Sequence, residues 1–228
     1  MVINSLFMLS ATVDDIGRGN SDIQTAEYNF NNSVWFEMDP VDSYGSPTED
    51  VVHEFYAPAT AGIYQFCVRG TDMLGHVGDP ACTLLVVYDP DGGFVTGGGW
   101  ISSQPGAYLP DPSLYGKANF GFVSKYKKGA RTPSGNTEFK FQSGNLNFHS
   151  NTYDWLVVTG SDYAKFKGIG TINGFGNYRF MIWAGDGAPD TFRIKIWEED
   201  ELTAMETVIY DNGYDQPIES GNIVIHTK

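Results

Sequence analysis

The chain is poor in basic residues, in cysteine and in any pattern typical of a helix. Its 228 residues include 14 lysines and arginines against 28 aspartates and glutamates, so the formal net charge is −14. Only residues 198–208 have a composition that would suit a turn or two of helix. Elsewhere short β-branched and aromatic runs alternate with Gly, Asn, Asp and Pro, which predicts an all-β fold.

The shortage of basic residues is concentrated in the first part of the chain. Residues 1–90 hold 13 acidic side chains against Arg18 and Arg69, whereas residues 91–228 hold 15 against 12 basic ones. An acidic surface repels phosphate backbones, so we expect no nucleic-acid partner. Carboxylates without lysines to pair with suggest bound divalent cations or a salty medium, although a merely soluble acidic surface is the favoured explanation.

No apolar run approaches 18 residues, so we expect no membrane span. The opening residues 1–11 have a short apolar core without a basic flank, unlike a complete signal peptide. We interpret them as a first strand, in a fragment cut from a longer secreted protein.

Only two cysteines occur, Cys67 and Cys82, and a turn-rich stretch separates them. A disulfide across a long hairpin is geometrically easy, and closing such a loop stabilises a fold by about 3 kcal/mol in the chain-entropy model. It would place the protein in an oxidising compartment, secreted or at the cell surface. Two buried free thiols are the alternative.

The Gly-rich segment 89–100 separates the acidic half from one rich in glycine and aromatic residues. Each half is long enough to bury a core of its own. We therefore predict two domains, residues 1–90 and 91–228. In the first domain, strands are predicted near 3–12, 22–30, 33–39, 50–57, 62–70 and 82–88.

One segment of the first half has a specific pattern. The run Gly62–Gly70 resembles strand F of an immunoglobulin-like sandwich, and Tyr64 stands two residues before Phe66, where a tyrosine corner would lie. The resemblance implies that Trp35 is the core residue of strand C.

The same resemblance bears on the cysteines. Phe66 and Ala26 occupy the positions that antibody domains give to the inter-sheet disulfide, so that bridge is missing. Cys67 would face the other side of the strand, which is consistent with a bridge to Cys82 on the next one.

The second half is predicted to be an antiparallel meander that forms a sandwich or a barrel. Asn173-Gly174 between two alternating runs predicts a hairpin, and Gly168, Gly170 and Gly176 predict bulges and tight turns. The predicted strands lie near 117–127, 136–142, 144–149, 154–160, 163–172, 177–184, 191–197, 207–211 and 222–227.

Six blocks of the second half form a recognisable series: Val95–Ile101 (VTGGGWI), Gly116–Lys128, Leu146–His149, Tyr153–Val157, Gly168–Gly174 and Phe192–Trp197. Their order resembles a C-terminal β module of secreted multidomain bacterial proteins, which commonly follows immunoglobulin-like repeats. The resemblance implies location and architecture, since the family has no settled activity.

Five aspartates are candidate calcium ligands, because two loops and the end of the last strand of such a sandwich emerge at one pole. Oxygen ligands in this number suit Ca²⁺, which would stiffen the joint between the domains. A solvated acidic loop is the alternative. The candidates are Asp14, Asp15, Asp22, Asp89 and Asp91.

The second half offers weaker acidic candidates. Asp186 and Asp190 frame a loop that suits either a Ca²⁺ ion or an ordinary Asx turn. Together with Glu198 they could supply a carboxylate pair for glycoside hydrolysis, although no sequence feature requires it.

Components for nucleophilic catalysis also occur. His149 and Asp154 are close enough in sequence for a contact between two neighbouring strands, with Ser150 or Ser161 nearby. No nucleophile elbow accompanies them, which favours a structural histidine.

The aromatic residues suggest carbohydrate binding. We expect Tyr108 and Tyr115 to be the exposed pair, because they lie in a Pro-rich loop. Burial is the default for tryptophans in apolar strands, here Trp100, Trp155, Trp183 and Trp197.

The sequence thus favours a non-catalytic structural, adhesion or assembly module of a secreted or cell-surface protein, with other protein subunits or surface glycans as partners. A carbohydrate-binding accessory module is the second hypothesis. A hydrolase with its site in the second domain is the third.

Overall fold

The computed structural model describes residues 1–200 and 202–227. Every regular element in that part of the chain is a β-strand, which confirms the all-β prediction. The chain forms two compact units, Met1–Val87 and Tyr88–Lys228. The division falls three residues before the predicted boundary at residue 90.

The first unit is a two-layer antiparallel sandwich. One sheet has the order β1-β5-β4 and the other β3-β2-β6-β7. Buried side chains from both sheets form a single core, including Leu9 and Val51 from one and Tyr28 and Phe66 from the other. The strands are β1 (Leu6–Asp14), β2 (Ile23–Phe30), β3 (Phe36–Glu37), β4 (Asp39–Pro40), β5 (Thr48–Tyr56), β6 (Gly62–Asp72) and β7 (Ala81–Val87).

The tyrosine corner forms as predicted. The Tyr64 hydroxyl donates a hydrogen bond to the Thr60 carbonyl at 2.6 Å, and Phe66 on the same strand is 2% exposed. The hydroxyl ties the corner before β6 to the start of that strand, while the phenylalanine fills the core.

The predicted role of Trp35 is wrong. Strand β2 pairs directly with β6 and so takes the place expected for strand C. Tyr28 of β2 is buried in the core instead. Trp35 lies outside the strands, half-buried, with the Arg69 guanidinium 4.0 Å above its ring. The contact with the guanidinium stabilises the tryptophan ring near the surface, outside the core.

The second unit is one large antiparallel sheet. Its order is β15-β14-β13-β12-β11-β10-β9-β8-β17, with β16 paired to β14, and it does not close into a barrel. A single core runs along its inner face. The strands are β8 (Phe94–Ser103), β9 (Gly116–Lys125), β10 (Ser134–Phe141), β11 (Leu146–Thr159), β12 (Tyr163–Ile172), β13 (Phe175–Gly185), β14 (Thr191–Glu199), β15 (Glu206–Asp211), β16 (Gln216–Pro217) and β17 (Ser220–His226).

Two details of this sheet differ from the predicted strands. The Gly-rich opening is itself a strand, β8. Its glycines let the neighbouring strand β17 approach closely, since a Cβ at Gly99 would lie 2.2 Å from the Ser220 carbonyl oxygen. The two strands predicted at 144–149 and 154–160 are one strand, β11, whose register shifts twice along β12.

The predicted hairpin turn is present at the end of β12. Asn173 and Gly174 both adopt positive φ, at 54° and 83°, as a two-residue type I′ turn requires. Across the described residues no helix is long and apolar enough to cross a bilayer.

Candidate functional site: an open groove between two edge strands

The most distinctive surface of the first unit is a groove between strands β1 and β7. Within the described residues each strand lies at the edge of its sheet and pairs with one other strand: β1 pairs with β5, and β7 pairs with β6. Residues of both strands line one cavity of about 550 Å³. The two sheets therefore leave their facing edges uncovered on this side.

The backbone along this side is almost entirely unpaired. For residues Leu6–Val13 the described chain provides no backbone partner beyond β5. On β7 one carbonyl is used, because the Met1 amino group donates to the Val86 oxygen at 2.7 Å. Strand β1 thus presents a row of free donors and acceptors, which is the template that another strand needs.

The floor of the groove is the core of the sandwich itself. Leu9 and Val13 project from β1, Ile23 from β2, and Phe66 and Val68 from β6. The ring of Phe66 packs within 6 Å of three other phenylalanine rings. An apolar side chain that entered the groove would therefore extend an existing hydrophobic cluster.

The rim at one end of the groove is acidic. Asp14, Asp15, Asp72 and Asp79 line it. The cavity lining also includes Arg18, Arg69 and His76, of which Arg69 is paired with Glu27 and His76 with Asp72. The unit as a whole carries twelve acidic side chains against two arginines. The potential at this end is therefore negative, and it favours cationic ligands.

Asp72 also fixes the turn that forms this rim. Its carboxylate accepts hydrogen bonds from the Leu74 amide at 2.9 Å, the His76 amide at 2.8 Å and the His76 ring at 3.0 Å. Desolvation raises the pKa of this carboxyl, but the bonds from His76 and Leu74 outweigh it and hold the pKa below its ordinary value. The group is thus an anion at neutral pH.

The predicted disulfide is confirmed and lies on the groove wall. Cys67 and Cys82 face each other directly across β6 and β7, with a Cα–Cα distance of 4.0 Å. Cys67 is buried, whereas Cys82 is exposed and lines the cavity. The bridge holds the edge strand β7 against the rest of its sheet.

The five candidate calcium ligands are divided between the units. Asp14 accepts bonds from the Ile16 amide and the Thr48 hydroxyl, and Asp15 accepts one from the Ser21 amide. Asp22 lies just before β2 in the same unit, whereas Asp89 and Asp91 belong to the second unit, where Asp89 accepts the Asp91 amide. Among residues 1–200 and 202–227 no group of three or more acidic, His or Cys side chains suits a metal. Calcium binding stays a prediction.

The tyrosine pair predicted for glycan binding has one exposed member. Tyr115 is 69% exposed. Tyr108 is half-buried instead, because its backbone bridges to Tyr210 and its ring packs 5.8 Å from the Phe141 ring. Together the two tyrosines do not present a flat exposed platform.

The residues considered for nucleophilic catalysis are also placed differently. His149 lies 3.6 Å from Glu138, and Asp154 lies 3.5 Å from Arg179. Both stand on the single long strand β11, so the expected contact between two strands does not form. Ser150 is buried and accepts the Thr137 amide.

Asp186 and Asp190 have a structural role that sequence reasoning missed. Asp186 accepts the Ile225 amide at 2.7 Å, and Asp190 accepts the Ile223 amide at 2.8 Å. These carboxylates therefore cap the free side of the edge strand β17. Glu198 is exposed on β14, and Glu201 lies outside the described residues.

A second surface combines tryptophans with cations on the outer face of the second unit. Trp155 pairs with Lys167 across the strands, and Trp183 pairs with Lys165 on one side and Arg193 on the other. Arg193 lies 4.4 Å above the Trp183 ring.

The expectation that the strand tryptophans are buried fits Trp197, at 3% exposure, whereas Trp155 and Trp183 are half-buried.

Comparisons with protein-family models, with curated proteins and with solved structures find no match for this chain.

Proposed function

We propose that this chain is a non-catalytic extracellular module that serves adhesion or assembly in a secreted or cell-surface protein. The observation that carries the proposal is a contrast between the two units. The second unit caps its edge strand β17 with Asp186 and Asp190. The first unit leaves β1 and β7 open on either side of an apolar groove.

Edge strands are usually blunted in proteins that do not pair with other chains. An uncovered pair of edges above an accessible core is typical of surfaces that accept a segment from a neighbour. The disulfide supports an oxidising compartment, and the acidic surface supports solubility at high local concentration.

The test is binding of the labelled, purified chain to intact cell surfaces, with its oligomeric state followed by sedimentation velocity and electron microscopy. Ala11→Lys places a charge at the groove floor, where Ala11 packs against the core. Ala59→Lys makes the same change at an exposed position outside the cavity.

We expect surface binding that Ala11→Lys abolishes and Ala59→Lys retains. Circular dichroism should show that both variants remain folded. A chain that stays monomeric and binds no surface contradicts the proposal. Turnover of ester, peptide or glycoside substrates would contradict its non-catalytic part.

A carbohydrate-binding function is the second candidate, and the outer face of the second unit favours it. Indole rings stack on sugar rings, and the adjacent Lys165, Lys167 and Arg193 suit anionic sugars. On a glycan array we expect Trp183→Ala to abolish binding. Phe175→Ala, at an exposed hairpin position, is the matched control, and equal effects of the two changes would remove this candidate.

A further inference from the structure

We propose that the groove of the first unit binds one extended segment of a partner protein, which pairs as a strand with the free side of β1. The segment would alternate apolar and polar residues and carry lysine or arginine at one end. This inference rests on the proposed assembly function and names the site and the partner chemistry for it.

Strand β1 is the better acceptor of the two edges. It offers nine residues, Leu6–Asp14, with no backbone partner on its free side in the described chain. On β7 the Met1 amino group already occupies the Val86 oxygen. An added strand beside β1 would extend the sheet β1-β5-β4 and would also cover the opening toward β7.

The groove requires alternate side chains of the segment to be apolar. In a strand successive side chains point to opposite faces, so every second side chain would enter between the sheets. There it would meet Leu9, Val13 and Phe66. The cavity of about 550 Å³ is large enough for several such side chains.

The acidic rim requires the segment to be cationic. Asp14, Asp15, Asp72 and Asp79 stand at one end of the groove. Away from these aspartates the lining is uncharged, with Leu9 of β1, Phe66 of β6 and Thr83 of β7. Basic residues are therefore expected at the end of the segment that lies beside Asp14.

The charge argues against a second copy of this chain as the occupant. The short edge strands of the first unit contain Glu37, Asp39 and Pro40, and β15 of the second unit begins and ends with Glu206 and Asp211. These strands would bring carboxylates to an acidic rim. Two amides of the edge strand β17 are capped by Asp190 and Asp186. The open edges β1 and β7 of a second copy contain no lysine or arginine that could meet the rim.

The experiment uses the full chain and three synthetic nine-residue peptides. The first alternates valine and threonine and ends in two lysines. The second replaces the lysines by glutamates. The third keeps the lysines but carries N-methyl groups on alternate amides, which removes backbone donors and leaves the side chains in place.

We expect the lysine peptide to bind and to slow hydrogen exchange along β1. The glutamate and N-methylated peptides should each bind about tenfold more weakly or not at all. In the protein, Asp79→Lys should weaken the lysine peptide about threefold. Asp42→Lys, an equal charge change at an exposed position outside the cavity, should leave binding nearly unchanged.

Equal binding of the N-methylated peptide, or no added protection of β1, overturns strand addition. Equal effects of the two charge variants overturn the assigned role of the rim. Protection of β1 in the chain alone, together with a dimer in sedimentation, would make a second copy the occupant and overturn the basic partner. If surface binding survives Ala11→Lys while the peptides fail, the adhesion function stands and this site does not.

Discussion

The carboxylate of Asp186 accepts a hydrogen bond from the backbone amide of Ile225 at 2.7 Å. Asp190 makes the equivalent bond to Ile223 two residues earlier. A loop between β13 and β14 therefore covers the free side of β17, which follows much later in the chain. Such covering keeps an edge strand from pairing with another molecule.

Removing this cover should destabilise the second unit and expose its edge. We expect Asp186→Ala to lower the free energy of unfolding by about 2 kcal/mol, because the bond involves a charged acceptor. Self-association in sedimentation should rise. Asp186→Asn retains a neutral acceptor oxygen and should lose less; a loss as large as that of alanine would assign the effect to the charge of Asp186 rather than to the hydrogen bond.

Removing the disulfide should affect the first unit alone. The double change Cys67→Ala and Cys82→Ala should cost it about 3 kcal/mol in the chain-entropy account. The second unit contains no cysteine, so its unfolding transition should not move in a denaturant titration. A shift of both transitions would mean that the units do not unfold independently.

The second unit should lose stability in alkaline solution. Burial raises the pKa of Tyr210 to about 12, partly offset by the hydrogen bond to Ser103 and increased by the charge of Asp211. Since the folded pKa exceeds the unfolded value near 10, the stabilisation is complete below pH 10. It is lost as the pH rises from there through the folded value.

Tyr210→Phe tests this pH dependence. It should flatten the fall in stability between pH 10 and 12, which is the window set by the unfolded and folded pKa values. The fall should not disappear, because burial raises the pKa of Tyr126 and Tyr153 as well. At neutral pH it should cost about 1 kcal/mol, since the buried Ser103 hydroxyl loses its donor. Denaturant midpoints across the range measure both effects, and an unchanged slope would contradict the assignment.

The tyrosine corner should stabilise the first unit through a single hydroxyl. Tyr64→Phe removes the bond to the Thr60 carbonyl and should cost about 1 kcal/mol. Tyr56→Phe, at a residue that is 69% exposed, is the matched control. Thermal melts of the two variants compare them directly, and equal melting temperatures would leave the corner without a measurable role.

Local sequence patterns predicted those parts of the fold that depend on neighbouring residues. Asn173 and Gly174 predicted a hairpin because few residue pairs tolerate two positive φ angles in succession. The spacing of Tyr64 and Phe66 predicted the corner. Gly168 and Gly170 predicted bulges because glycine is unusual inside a strand. The register between β11 and β12 does shift beside both, and a Cβ at either position would collide with β11 carbonyl oxygens.

The errors arose where distant strands had to be paired. Trp35 was assigned to the core on the assumption that the strand after β2 lies beside β6, whereas β2 itself does. Trp155 and Trp183 were expected to be buried, but a strand with apolar residues on both faces does not reveal which face meets the core. Asp186 was considered as a calcium ligand or a catalytic carboxylate. The sequence does not reveal its actual partner, because the Ile225 amide lies 39 residues away along the chain.

The sequence by itself determined the all-β class, the two-unit division and the excess of negative charge, and it favoured the disulfide, since each follows from composition or from contacts between neighbouring strands. The tertiary structure alone decided which strands are edges, where the acidic rim lies and which tryptophans face outward. An edge is defined by the absence of a neighbour, and which strand becomes a neighbour is set by long-range packing of the two sheets rather than by any local run of residues.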